Sequence, residues 1–511
     1  ACLVGSEMCI RDRLSTNGIL THNDTWNGWG SCATLTQSGA GSVANLGEYN
    51  TGSFTVTGVY TLTAGTLNMQ GYDLYIGGSL SASSSTTRAI NFSGANIHIT
   101  STTSSTGLTA ATLTLLSTDQ TGTIQVNAAT IRKSLTWGSS AGGSTSNAVS
   151  VVMYGGGVLN PTITTGSWFE VLDLQGLEGS NNQQSGITIN ITEGLILPPS
   201  GATPRPTDYA FFTVVFQGPT LASAITGYLN CNDRISTTGT IGVLTFAMTG
   251  TVALSTEVTV GALGAATGIT TLTSGTLDIN GQALNTNTFV SATANTRALV
   301  YNGGSIYVNS TTANPSLNLS NATNFTITPG QTGAFVVPMN ISKTFSSGTT
   351  GGSVNFAPNV TLTPETALAT TPVPTLTTGG WFGVLDISAS SATIATTSLN
   401  VTSLNLGSGD YSNMTITVFG DGYISGVDNK EIGAITIGNG STITTTMYQS
   451  FRMNGALIIA NGSTLNVNGQ SLTPASVSMI GNMLLGGATV AAGTAFTQVL
   501  GNLELGGGTL S

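Results

Sequence analysis

One phrase is written three times along this chain, and no other feature limits its fold as tightly. "GTLNMQGYDL" at 65–74 returns as "GTLDINGQAL" at 275–284 and as "STLNVNGQSL" at 463–472. Its neighbours return in the same order. "TRAINFSGANIHI" (87–99) is answered by "TRALVYNGGSIYV" (296–308), and "WFEVLDL" (168–174) by "WFGVLDI" (381–387). Ile131 and Lys133 are answered by Ile341 and Lys343, and "IGVLTF" (241–246) by "IGAITI" (432–437). The copies lie roughly 190–215 residues apart, too long for a single-turn solenoid repeat, so each copy must hold many elements. The division that follows is 14–40 as the end of a preceding unit, 41–240 and 241–431 as units 1 and 2, and 432–511 as a partial unit 3.

Inside each copy the period is two. Leu67 and Met69 alternate with Thr66, Asn68 and Gln70; Met414, Ile416 and Val418 do the same, as do Leu465 and Val467. "ITINIT" places Ile187, Ile189 and Ile191 on one side. Such alternation marks strands with one buried and one wet face. Gly-Asn and Gly-Ser pairs between them mark turns. Glycine numbers 67, and β-branched residues in short runs outweigh helix formers, so an all-β chain with under about a tenth helix is expected, well below the usual share. A hydrophobic fraction of 40% is ample for a core, and the regular alternation argues against disorder.

Two architectures suit these strands. One is a parallel β-helix-like solenoid, whose short strands stack turn on turn with Asn and Thr forming side-chain ladders. The alternative is a string of antiparallel β-sandwich domains. Asn280-Gly281, Asn302-Gly303 and Asn468-Gly469 are hairpin-type dipeptides that keep the sandwich in play. The short, evenly punctuated strands favour the solenoid.

Residues 1–13 stand apart. "GSEMCIRDR" (5–13) packs Glu7, Arg11, Asp12 and Arg13 into a chain that is otherwise only 6% charged. Met8–Arg13 is what ATG TGT ATA AGA GAC AG encodes, a string that resembles the transposon adapter end of sequencing libraries. The segment is therefore expected to be translated adapter that packs on nothing. It lacks the apolar core and cleavage site of a signal peptide. With "GNLELGGGTLS" ending inside a repeat phrase, the chain reads as a fragment of a longer one.

The phrases "LTSGTLDINGQALNTNTFVSATANTRAL" (272–299) and "ITTGSWFEVLDLQG" (163–176) resemble those of very long Thr/Ser/Gly-rich repeat proteins of marine phages found in metagenomes. The similarity covers most of residues 40–510. Those proteins are regarded as virion or tail-fibre-like, with β-solenoid character. The resemblance implies a virion or host-surface role and carries no catalytic motif. Bacterial β-helical adhesins share the same texture.

Few residues invite chemistry. A net charge of −10 argues against nucleic acid, whose binding needs Lys and Arg on phosphate. No apolar run reaches the ~18 residues of a membrane helix, so no insertion is expected. Cys32 and Cys231 read as isolated buried thiols, although a disulfide between them is open. His22 and His98 lack the ligand company of a metal site, and His98 aligns with Tyr307, as a surface strand position would. Asp173 and Asp386 recur once per copy, which suits backbone bonding better than acid–base work. Lys133 and Lys343 read as solvated or capping charges. Asp421, Asp428 and Glu431 in "FGDGYISGVDNKE" are the densest acids, without calcium-loop spacing, so a surface turn is the simpler reading. Sequons such as Asn190-Ile-Thr arise by chance in a chain so rich in Asn and Thr.

Trp168 and Trp381 are the candidate glycan contacts. Each precedes a Phe, and adjacent strand residues face opposite ways, so one aromatic of each pair can point outward. The sequence as a whole predicts a non-catalytic fibre or receptor-binding component of a phage virion. Its partners would be other copies or virion proteins and a host-surface glycan, with no cofactor, catalytic residue or metal. A bacterial surface adhesin is the alternative. A polysaccharide-degrading tailspike ranks last, because the acids are scattered along the chain and no two carboxylates are expected to gather at the spacing of a glycosidase pair.

Overall fold

The computed structural model of the protein describes residues 12–14, 18–21, 31–47, 53–82, 86–104, 106–110, 114–115, 122–129, 132–138, 148–155, 162–177, 187–197, 212–218, 227–231, 241–261, 268–310, 316–327, 332–339, 344–353, 355–364, 375–388, 397–438 and 440–511. They form strands and turns without a helix. The chain divides into two compact units, Ala1–Ala262 and Leu263–Ser511. Each is a β-solenoid of stacked parallel strands.

In the first unit a turn holds three short strands. Tyr60–Leu62, Gly65–Asn68 and Leu74–Ile76 make one turn, and Leu80–Ala82, Arg88–Asn91 and Ile97–Ile99 make the next. Each strand pairs with its counterpart one turn on, Tyr60 opposite Leu80, Leu67 opposite Ile90 and Leu74 opposite Ile97. Period-two alternation then places one apolar residue above another. In the second unit Ile306, Phe335, Val360, Leu385, Leu404, Ile424 and Met447 form one in-register column, every member buried. Leu67, Met69, Leu277, Ile279, Leu465 and Val467 are all fully buried, as the alternation requires. The expectation for "ITINIT" holds at Ile189 and Ile191 but not at Ile187, which is half-buried.

Every strand ladder among the described residues is parallel; the lone antiparallel contact is the isolated Ser353–Phe356 bridge. The sandwich alternative, built on antiparallel hairpins, is therefore set aside. The Asn-Gly pairs turn corners instead. Asn280 and Gly281 both take positive φ (53° and 74°), as do Asn302 with Gly303 and Asn468 with Gly469. That double left-handed conformation suits Asn followed by Gly. It joins Ile269–Asp278 to Ala283–Thr286, which pair with the next turn and not with each other.

Polar ladders run along the outside. Asn68 Nδ2 donates to Asn45 Oδ1 at 2.9 Å, and Asn91 Nδ2 to Asn68 Oδ1 at 3.3 Å. Buried cations hold other bends. Arg297, 1% exposed, donates to the carbonyls of Asn295, Ser291, Asn321 and Thr323 and lies 4.7 Å from the centre of the Phe325 ring. Its repeat counterpart Arg88 is as deeply buried and donates to the Ala82 carbonyl.

The expectation that residues 1–13 pack on nothing fails at their C-terminal end. Asp12–Leu14 is a strand paired in parallel with Leu35–Gln37. Backbone hydrogen bonding recruits such a segment whatever its side chains. Ile10 and the rest of that stretch lie outside the described residues.

Candidate functional site

The outward faces of the long strands carry the two candidate tryptophans. Trp168 and Trp381 point outward and are half-buried, while Phe169 and Phe382 are fully buried in the core. Strand alternation thus resolves each aromatic pair as expected. Trp381 is engaged within its own unit: its ring meets Phe419 at 4.8 Å and rests on Gly352, where any Cβ would collide with it.

Asp173 and Asp386 bond backbone. Asp173 Oδ1 accepts the Gln175 N–H at 2.8 Å, and Asp386 Oδ1 accepts that of Ser388 at 2.9 Å, with Asn405 Nδ2 at 3.3 Å. Lys133 is a buried cap and not a solvated charge, donating to the carbonyls of Ser101 and Ser104. Burial lowers its pKa. Lys343 and His22 lie outside the described residues. His98 is a half-buried surface residue, stacked on Tyr75 at 4.3 Å with Nε2 3.0 Å from Asp73 Oδ2. Asp421 and Asp428 each accept a backbone N–H from the next turn of the stack, those of Thr444 and Ser450. Cys32 and Cys231 are buried thiols not joined by a disulfide. Among the described residues no three His, Cys, Asp or Glu side chains gather to hold a metal. Nor is there a helix long and apolar enough to cross a membrane.

The structure also gathers residues that sequence reasoning left apart. Between Phe169 and Leu172 the strand Ser167–Asp173 carries one residue more than its neighbour Val149–Tyr154. Ile187–Ile196 carries a further one between Ile191 and Gly194. These successive bulges re-aim side chains as bulges do, and they set Glu170 beside Glu193. Ser150 donates to Glu170 Oε2 at 2.9 Å. Burial raises the pKa of Glu170, the Ser150 bond opposes that rise, and the Glu193 charge adds to it. Burial raises Glu193 as well. Two carboxylates of adjacent turns are thus near enough for the charge of one to act on the other. The second unit has Gly383 in place of Glu170 and, lacking the second bulge, no counterpart of Glu193, so repeat comparison gave no signal.

Beside this pair lies Tyr228. It stands opposite Gly194, and its ring lies across that glycine where a side chain would otherwise project. Burial raises its pKa, and the charges of Glu193, Asp173 and Glu170 add to the rise. The second unit repeats the arrangement in "GYIS" (422–425) against "GYLN" (227–230). Tyr423 follows Ser403, whose Oγ accepts its N–H at 3.2 Å, and burial and Asp386 raise its pKa in turn. Tyr448, half exposed, faces the Tyr423 ring at 6.0 Å. The recurrence of Gly-Tyr in the two copies was the available signal.

Comparison with protein-family models, with curated proteins and with solved structures returns no match.

Proposed function

We propose that the chain is a non-catalytic structural or receptor-binding fibre component of a phage virion. Its partners are other copies or virion proteins and a glycan of the host surface. The observation that carries this reading is the parallel ladder within each unit. Every turn passes its backbone hydrogen bonds to the next, which gives stiffness along the stack, as in other solenoids. Outward Ser, Thr and Asn keep it wetted at low charge. Immunogold labelling of virions of a phage encoding the chain tests the proposal. Label on virion fibres is the expected result. Label confined to bacterial envelopes would replace the fibre by a surface adhesin.

A second reading, a tailspike that cleaves polysaccharide, draws on the Glu170–Glu193 pair, since glycoside hydrolysis uses two carboxylates and burial raises the pKa of both of these. Incubation with host exopolysaccharide and an assay for reducing ends separates the two. The fibre reading expects no turnover. Turnover abolished by Glu170→Gln or Glu193→Gln would establish the enzyme.

A further inference from the structure

The outward tyrosine and the aspartate near it occupy matching register positions in the two units. In the first, Asp173, Ile196 and Asn230 stand in one column over three turns, with Val171, Gly194 and Tyr228 beside it. In the second, Asp386, Asn405 and Ser425 form the column, with Val384, Ser403 and then Tyr423 beside it. The tyrosine is thus two turns from its aspartate, about 10 Å along the stack at the usual strand spacing. In the first unit the phenol narrows that gap by leaning. The Tyr228 ring crosses Gly194, one turn back toward Asp173. In both units the aspartate charge is felt at the phenol.

Across that separation phenol and carboxylate do not bond each other. Among the described residues neither Tyr228 Oη nor Tyr423 Oη has a hydrogen-bond partner, and each aspartate gives the protein one oxygen, Oδ1, leaving Oδ2 to accept from elsewhere. A broad ring laid on the surface, an open carboxylate oxygen and a phenol within one side chain's reach are what a polyhydroxylated ring meets well. Its C–H face packs on the aromatic while its hydroxyls bond the acids. Tyrosine supplies that contact at low cost in side-chain entropy.

We propose that Tyr228 with Asp173, and Tyr423 with Asp386 and Tyr448, are two copies of a binding subsite for a pyranose glycan that carries no negative charge. Glu170 and Glu193 flank the first copy and repel uronates and sulfated sugars, so neutral or amine-bearing chains are the fitting class. This inference rests on the glycan contact in the proposed function and names other residues for it than Trp168 and Trp381.

The test titrates the full chain with neutral galacto-oligosaccharides and with chito-oligosaccharides of glucosamine, using alginate oligomers as the anionic control. Binding of either of the first two, with alginate at least tenfold weaker, is expected. Tyr228→Ala and Tyr423→Ala should each weaken binding about tenfold and together abolish it, as loss of a central aromatic contact does. Should an alanine variant not fold, Asp173→Asn and Asp386→Asn keep shape and remove the charge, and both should weaken binding. Undiminished binding by the folded double tyrosine or double aspartate variant would overturn this subsite while leaving the glycan contact standing. Equal binding of alginate would overturn the charge preference. Failure of the unaltered chain to bind any of these sugars would overturn the subsite, whereas the fibre assignment stands or falls separately on the virion labelling.

Discussion

Arg297 shows what one residue can hold. Its guanidinium is buried and serves four carbonyls on two turns. Arg297→Ala would leave those acceptors unpaired, at a cost of about 3 kcal/mol or more. Arg297→Lys should recover little, because an ammonium lacks the planar fork. Urea midpoints check both. Glu170 makes the opposite case. Its pKa, raised by burial, lies above the unfolded value of about 4.3. Between the two values the folded chain holds a proton that the unfolded chain has released. The stability this confers is complete below the unfolded value and is lost as pH rises through the folded one. Glu170→Gln should accordingly raise the thermal midpoint at pH 7 and leave it unchanged near pH 4; a midpoint that falls at pH 7 would refute the sign. Neither residue's role was legible in the sequence. Arg88 and Arg297 were visible as repeated letters, but their burial and the carbonyls they meet depend on how the chain bends just before them and on the next turn of the stack. Glu170 and Glu193 come together only through two bulges that no alternation pattern announces.

Strands and corners were read more fully. The period-two phrase placed Leu67, Leu277 and Leu465 inside, because burying alternate residues leaves a strand few other choices. The Asn-Gly dipeptides were read as turns but not as corners. Two positive φ values in a row suit a hairpin and a solenoid bend equally, and only the pairing partner tells them apart. Gly281 has φ 74° and no atom closer than 3.4 Å to an added Cβ, so Gly281→Ala costs conformation and not space. About 1–2 kcal/mol is expected from the left-handed geometry alone. Asn68→Ala cuts the Asn45–Asn68–Asn91 ladder at its middle, removing both bonds for about 1 kcal/mol each, since both are partly exposed. Chemical denaturation of the two variants checks these values.

For the molecule as a whole, the short, evenly punctuated strands foretold a parallel stack, and the pairing is parallel throughout the described ladders. The 41–240 and 241–431 copies are set by where phrases recur, whereas the compact units Ala1–Ala262 and Leu263–Ser511 are set by contacts. In such a stack each turn is stabilised by its neighbours, so damage stays near its source. Leu277→Ala should cost about 2–5 kcal/mol. It should lower amide-exchange protection in Thr288–Val290, Arg297–Val300 and Phe325–Ile327 while leaving the first unit unchanged; uniform loss across both units would show a single cooperative block. The Asn-Gly corners carry one more consequence, for chemical ageing. Asn followed by Gly is the peptide link most prone to deamidate, through attack of the glycine nitrogen on the asparagine amide. Here the Gly281 N–H is donated to the Tyr301 carbonyl at 3.3 Å and the Gly469 N–H to the Leu485 carbonyl at 3.1 Å. The turn above thus holds the nucleophile's proton, and the same stacking that gives the chain its stiffness slows the clock at its weakest bonds.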